Sequence, residues 1–196
     1  MAVEFLTLPE SRQTILRHQA FRAVLLAMAY PGRWYELPVD SARDGSGLPQ
    51  RSAPAAASLV FDSMWDAGSR VWRSDVDLLS DLGAPVSEPA AAEILLIEGR
   101  SSRGAVGQAN RGTEDEPETG ATLLYVIADA VRGSAVRLSG PGIRGSVETD
   151  VPLLPLELQD RNRSCSQWPF GVELLVVDWL GRIMALPRST QVELLD

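Results

Sequence analysis

Arginine carries all of the strong positive charge in this chain: the 18 basic residues are all arginine, and there is no lysine. That absence removes three chemistries, namely a Schiff base to pyridoxal phosphate, the lysine of a Walker-type phosphate loop, and catalysis by an amine nucleophile. His18 is the only histidine and Cys165 the only cysteine, so a histidine-built metal site and a Cys/His zinc site are excluded as well. Ser58, Ser139 or Ser189 would need a base to act as nucleophiles. The one imidazole lies on the flank of a predicted helix, where a half-exposed histidine is ordinary. Cys165 has Arg161, Arg163, Ser164 and Ser166 around it. Neighbouring cations lower a thiol pKa, but a lone cysteine in a polar stretch equally needs no role. No catalytic residue, metal or cofactor is expected from this inventory.

Recognition of an oxyanion is the chemistry that remains. Arg137 precedes Ser139-Gly140-Pro141-Gly142, where glycines would let backbone N–H groups approach an anion. After Pro187 come Arg188, Ser189 and Thr190, which offer a guanidinium fork and two hydroxyls. The candidate anion-binding residues are therefore Arg137, Ser139, Gly140, Gly142, Arg188, Ser189 and Thr190. Both segments sit at the ends of short predicted strands and could converge in one crevice, because open α/β sheets bind ligands outside strand ends. The bland alternative is a tight turn in each place. No helix follows the glycines, so neither a P-loop nor a dinucleotide fingerprint is satisfied. Glu114, Asp115, Glu116 and Glu118 could hold a hard cation or simply form a solvated loop.

The elements that must position these residues are legible in outline. Apolar residues at 21, 24, 25 and 28 predict one buried face of a helix over Ile15 to Ala29, with Arg17 inside the stripe and Pro31-Gly32 as the stop. Trp34 to Leu37 reads as a strand, Asp40 to Ser52 as a surface loop and Ala53 to Trp65 as a second helix, with Pro54 in its first turn. The runs Ile94 to Ile97, Leu123 to Ala128 and Leu174 to Val177 are continuous rather than alternating, as in strands buried on both faces. Gly99 to Gly120 is a long polar connection. Val136 to Leu138 and Arg182 to Leu186 add shorter strands, and Pro152 to Leu158 opens a further helix. Helices around continuous strands predict a layered α/β domain with a mixed sheet.

Composition sets the outer limits. With 196 residues, 45% of them hydrophobic and 22% charged, the expectation is one domain spanning 1–196. A net charge of -8 and a pI near 4.7 argue against partners such as nucleic acid or an anionic membrane. MAVEFLTLPESRQ has no basic region leading into an apolar core, no run approaches a membrane span, and one cysteine cannot form an internal disulfide, so a cytoplasmic location is expected.

Four blocks in fixed order carry a family resemblance. They are FRAVLLAMAYPG from Phe21, GTEDEPETGATLL from Gly112, VRLSGPGI from Val136 and WPFGVELLVVDWLGRIMALPRSTQVELL from Trp168. Together they resemble PhnH, the H component of bacterial carbon–phosphorus lyase. Glu173 stands where that family more often has aspartate, and Trp168 with Phe170 forms a second conservative departure. The resemblance implies a three-layer α/β fold like that of pyridoxal-phosphate-dependent transferases, without the cofactor. It also implies a homodimer that works with the G, I and L components to install a phosphonate on C1 of the ribose triphosphate of ATP, displacing adenine, before the J component breaks the carbon–phosphorus bond. Assembly rather than chemistry is the expected contribution, with Trp179 a candidate contact. The alternative is an enzyme-like domain with its own arginine-based nucleotide or phosphonate pocket.

Overall fold

The computed structural model describes residues 9–39, 53–66, 68–75, 83–127 and 132–195. The three continuous apolar runs become the middle of a sheet, as strands β3 (Ile94–Glu98), β4 (Thr122–Val126) and β7 (Glu173–Val177). Around them stand β1 (Tyr35–Glu36), β2 (Val71–Arg73) and β8 (Arg182–Leu186). The order across the sheet is β1-β8-β7-β4-β3-β2. Strands β2, β3, β4 and β7 run parallel, while β8 is antiparallel to both β7 and β1. The sheet is mixed, as predicted.

Side chains on a strand alternate between its two faces, and here each face meets its own apolar layer. Ile94, Leu96, Leu124, Val126, Leu175 and Val177 pack with helices α1 (Pro9–Ala29) and α2 (Ala53–Met64). Leu95, Ile97, Leu123, Tyr125, Leu174 and Val176 face the opposite way. That side is covered by α3 (Pro155–Ser164) and by a second, antiparallel sheet of order β6-β5-β9. Its strands are β5 (Ser134–Ser139), β6 (Ser146–Val151) and β9 (Gln191–Leu194). The fold class is α/β. One outer layer is thus mostly sheet, which the reading of helices around strands did not anticipate.

The face of α1 needs correction. Ala20, Ala23, Val24 and Ala27 are buried, Met28 is partly so, and Phe21 and Leu25 are exposed. The helix lies against α2 through small residues on both sides, Ala53, Ala56 and Ala57 among them, and small side chains let helices approach closely. The larger residues next to that stripe are left outside. Arg17 is accounted for by a carboxylate on α2, Asp62, at 3.8 Å.

Three strands escaped the sequence: β2, β6 and β9. The connection from Gly99 to Gly120 contains two short 3-10 turns, Val106–Gln108 and Pro117–Thr119. The predicted loop from Asp40 to Ser52 lies outside the described residues.

Candidate anion crevice

Strands β7 and β8 pair with Leu174 opposite Leu186, so the first residue of β7 and the turn after β8 must meet. Glu173 uses both carboxylate oxygens there. Oε2 accepts the Arg188 backbone N–H at 2.8 Å, and Oε1 accepts from Arg188 Nε. The Arg188 Nη1 donates across to the carbonyl of Pro117, just ahead of β4. Arg188 therefore ties together the starts of two neighbouring parallel strands and the end of β8.

Helix α3 supplies the second arginine. Pro155 suits its first turn, where a missing N–H is harmless, and Leu158 and Arg161 share its buried face one turn apart. Arg161 is 1% exposed. Its Nη1 donates to the Thr190 carbonyl at 2.7 Å and to Asn162 Oδ1 at 3.2 Å, and its Nη2 donates to the Pro187 carbonyl. Nε is buried without a partner. Burial pulls the guanidinium below the usual arginine value, and the neighbouring Cys165 and Glu173 oppose that shift. Thr190 is 2% exposed; its N–H reaches the Pro187 carbonyl at 2.9 Å, while its hydroxyl oxygen has no partner.

These groups line a crevice of about 560 Å³. Arg161, Asn162 and Cys165 contribute from α3, Arg188, Ser189 and Thr190 from the turn, and Trp168, 72% exposed, stands at the side. None of the described residues lining it is acidic. Cys165 itself is half-buried, with Sγ 3.6 Å from the Val172 carbonyl.

The two predicted segments meet only in part. Pro141 lines the crevice beside Ser189, and a Cβ on Gly140 would come within 2.9 Å of the Ser189 carbonyl. Ser139 Oγ bonds to Gln191 across the β5–β9 pair at 3.2 Å. Arg137 lies elsewhere, on the exposed face of the small sheet, held by Glu148 and Glu193 at 2.9 Å each. Those two bonds raise its pKa. Gly142 turns against Ala29 and Pro31 at the end of α1. Sequence reasoning missed Arg161 and Asn162 as lining residues; an arginine in phase with Leu158 on a buried helix face was the available signal.

The crevice opens near the amino ends of the parallel strands rather than the carboxyl ends where open sheets usually bind ligands. Near the carboxyl end of β7 is a smaller cavity of about 170 Å³, lined by Trp34, Asp178, Trp179 and Arg182 among others. Its arginine is already paired. Asp178 Oδ2 accepts from Arg182 at 2.6 and 2.9 Å, and the guanidinium stacks 5.1 Å over Trp34. Glu114, Asp115 and Glu116 are exposed, and among the described residues no three His, Cys, Asp or Glu side chains are grouped to hold a metal ion.

Residues 11–193 match the family described as bacterial phosphonate metabolism protein (PhnH). The chain belongs to the PhnH family. The match extends from α1 into β9 and takes in both arginines of the crevice. A Stutzerimonas stutzeri protein named as a C-P lyase subunit, HtxG, is 29% identical over 176 residues, covering 89% of this chain and 85% of its own length. Among the described residues no helix is long and apolar enough to cross a membrane.

Proposed function

We propose that this PhnH-family chain is a subunit of a carbon–phosphorus lyase complex and serves mainly in its assembly. The observation that carries the reading is the family match over nearly the whole chain, together with a relative named as a C-P lyase subunit. In this reading it acts in the cytoplasm with the G, I and L components as they transfer an alkylphosphonate to C1 of the ATP ribose, ahead of cleavage by the J component. Its fold is that of pyridoxal-phosphate-dependent transferases with the cofactor chemistry given up. The missing lysine supports that part. A homodimer is the expected form of the isolated chain, and the exposed pair Phe21 and Leu25, one turn apart on α1, supports a packing surface.

Co-expression with the other components tests the reading. A tagged chain should bring G, I and J down in defined ratio, and removing the chain should abolish growth on methylphosphonate as the only phosphorus source. A chain that purifies alone from such cells, with growth intact without it, would refute the assembly role. A second reading, a domain with its own anion pocket, is favoured by one observation: the crevice holds two arginines and no acidic lining residue in a protein of net charge -8.

A further inference from the structure

We propose that the crevice binds a tetrahedral phosphorus oxyanion between the Arg161 guanidinium and the Thr190 hydroxyl. This gives the second reading a ligand class and does not depend on the assembly role; a chain that assembles but binds no oxyanion sinks this inference alone. Arg161 is a buried cation whose bonds, among the described residues, all go to neutral acceptors, Thr190 O, Pro187 O and Asn162 Oδ1. A buried charge that no carboxylate meets directly is costly, and although Glu173 nearby offsets part of the cost, an anion brought beside the guanidinium relieves more of it. Two of the four buried polar side-chain atoms that lack a partner among the described residues belong to residues lining the crevice, Arg161 Nε and Thr190 Oγ1. Buried polar atoms in folded proteins are nearly always bonded, so two such atoms under one crevice wall point to a ligand that meets them.

The geometry also selects the ligand. Three of the five N–H groups of Arg161 go to Thr190 O, Asn162 Oδ1 and Pro187 O, so the fork of its two terminal nitrogens is taken and the edge at Nε is left. What remains is the Nε edge of Arg161 and one hydroxyl from Thr190. An anion with at least three oxygens around a central atom can meet the Nε edge and the Thr190 hydroxyl together, whereas a two-oxygen carboxylate that fills the edge has no oxygen left for the hydroxyl.

The competing view is that Arg161 is only a strut for the turn from Pro187 to Thr190. Thr190→Val separates the two, because it keeps the shape and removes an atom that the strut does not use. The full chain would be titrated with inorganic phosphate, methylphosphonate and acetate at constant ionic strength, with binding followed by calorimetry and by melting temperature. We expect saturable binding of phosphate or methylphosphonate and none of acetate. In Thr190→Val the melting temperature in chloride should hold or rise, while affinity falls about three- to tenfold, the worth of one hydrogen bond. Arg161→Met should bind neither anion. The tighter of the two ligands, given that Thr190 dependence, names the source as a phosphate ester or an organic phosphonate. The proposal is overturned by absent binding of both, by equal binding of acetate, by affinity unchanged in Thr190→Val, or by a Thr190→Val chain that melts lower in chloride, which would show the hydroxyl already has a structural partner.

Discussion

At the scale of single residues, the decisive group beside the crevice is Glu173. It pairs directly with one arginine and acts on the other, Arg161, only through space. Arg188→Ala should strip Glu173 of its partner in a mostly buried setting, and we expect a loss of about 2–3 kcal/mol, below the range for a fully enclosed pair because both side chains keep some contact with water. A double-mutant cycle with Glu173→Gln, read by denaturant unfolding, should show strong non-additivity; additive losses would mean the two do not act as a unit. Arg188→Lys should recover only part, since an ammonium cannot span Glu173 and Pro117 together. A second buried contact makes a pH prediction. Tyr125 donates to Glu157 at 2.6 Å, Ser101 donates to the other oxygen at 2.9 Å, and burial beside that carboxylate holds the phenol's pKa well above the ordinary tyrosine value. The unfolded chain then gives up that proton near pH 10 while the folded chain keeps it. This contribution to stability is complete below about pH 10 and declines above it, by up to about 1.4 kcal/mol per pH unit. Tyr125→Phe should cost about 1.5–3 kcal/mol near neutrality and flatten the alkaline limb of the stability curve; an unchanged limb would contradict the assignment. Sequence alone could mark Arg188, Ser189 and Thr190, because three polar residues after a proline are visible without a fold. Arg161 was not visible as a recognition group, because its burial depends on which face of α3 meets the β8–β9 turn.

Elements show the same division between local and tertiary information. Continuous apolar runs announced β3, β4 and β7 directly, since a strand buried on both faces has no solvent side to interrupt it. Strand β6 gave no such signal: Ser146-Val-Glu-Thr-Asp-Val151 is mostly exposed and owes its conformation to the hairpin with β5. Helix α1 was found, but its buried stripe was misjudged because apolar size was taken as the guide when closeness to α2 favours alanine. The β5–β6 hairpin offers a test of such close approach. Gly142 has φ +81°, and a Cβ there would run into the Ala29 carbonyl and lie 3.0 Å from Pro31 Cδ. Gly145 has φ +74° with no other atom within 4 Å of that position. Both alanine variants incur the left-handed backbone cost of about 1–2 kcal/mol, and only Gly142→Ala adds a collision. Thermal melting should therefore rank Gly142→Ala clearly below Gly145→Ala, and equal melting temperatures would show that the hairpin can drift away from α1.

For the whole molecule, the prediction concerns assembly. Light scattering at micromolar concentration should give twice the chain mass of 21.2 kDa, and Phe21→Asp with Leu25→Asp should return it to the single-chain value without lowering the melting temperature, because both side chains are already exposed. A wild-type monomer would refute the dimer. A monomeric double variant that has also lost its fold would refute the surface. The order of strands carries a further consequence for how the chain comes into being. Leu123 and Leu174 are neighbours in the finished sheet, yet the small sheet's β5 and β6, and all of α3, are made between them. Contacts so distant in sequence form late and slow a domain's folding. On a ribosome, the apolar flank of β4 would wait uncovered until β7 has emerged, with β8 and β9 later still. The β5–β6 hairpin, whose partners are adjacent in the chain, can form during that interval. A young chain of this protein would thus pass through a stage with one small sheet already built and the larger one open along its middle, which is the stage at which chaperones or a partner subunit would have most to protect.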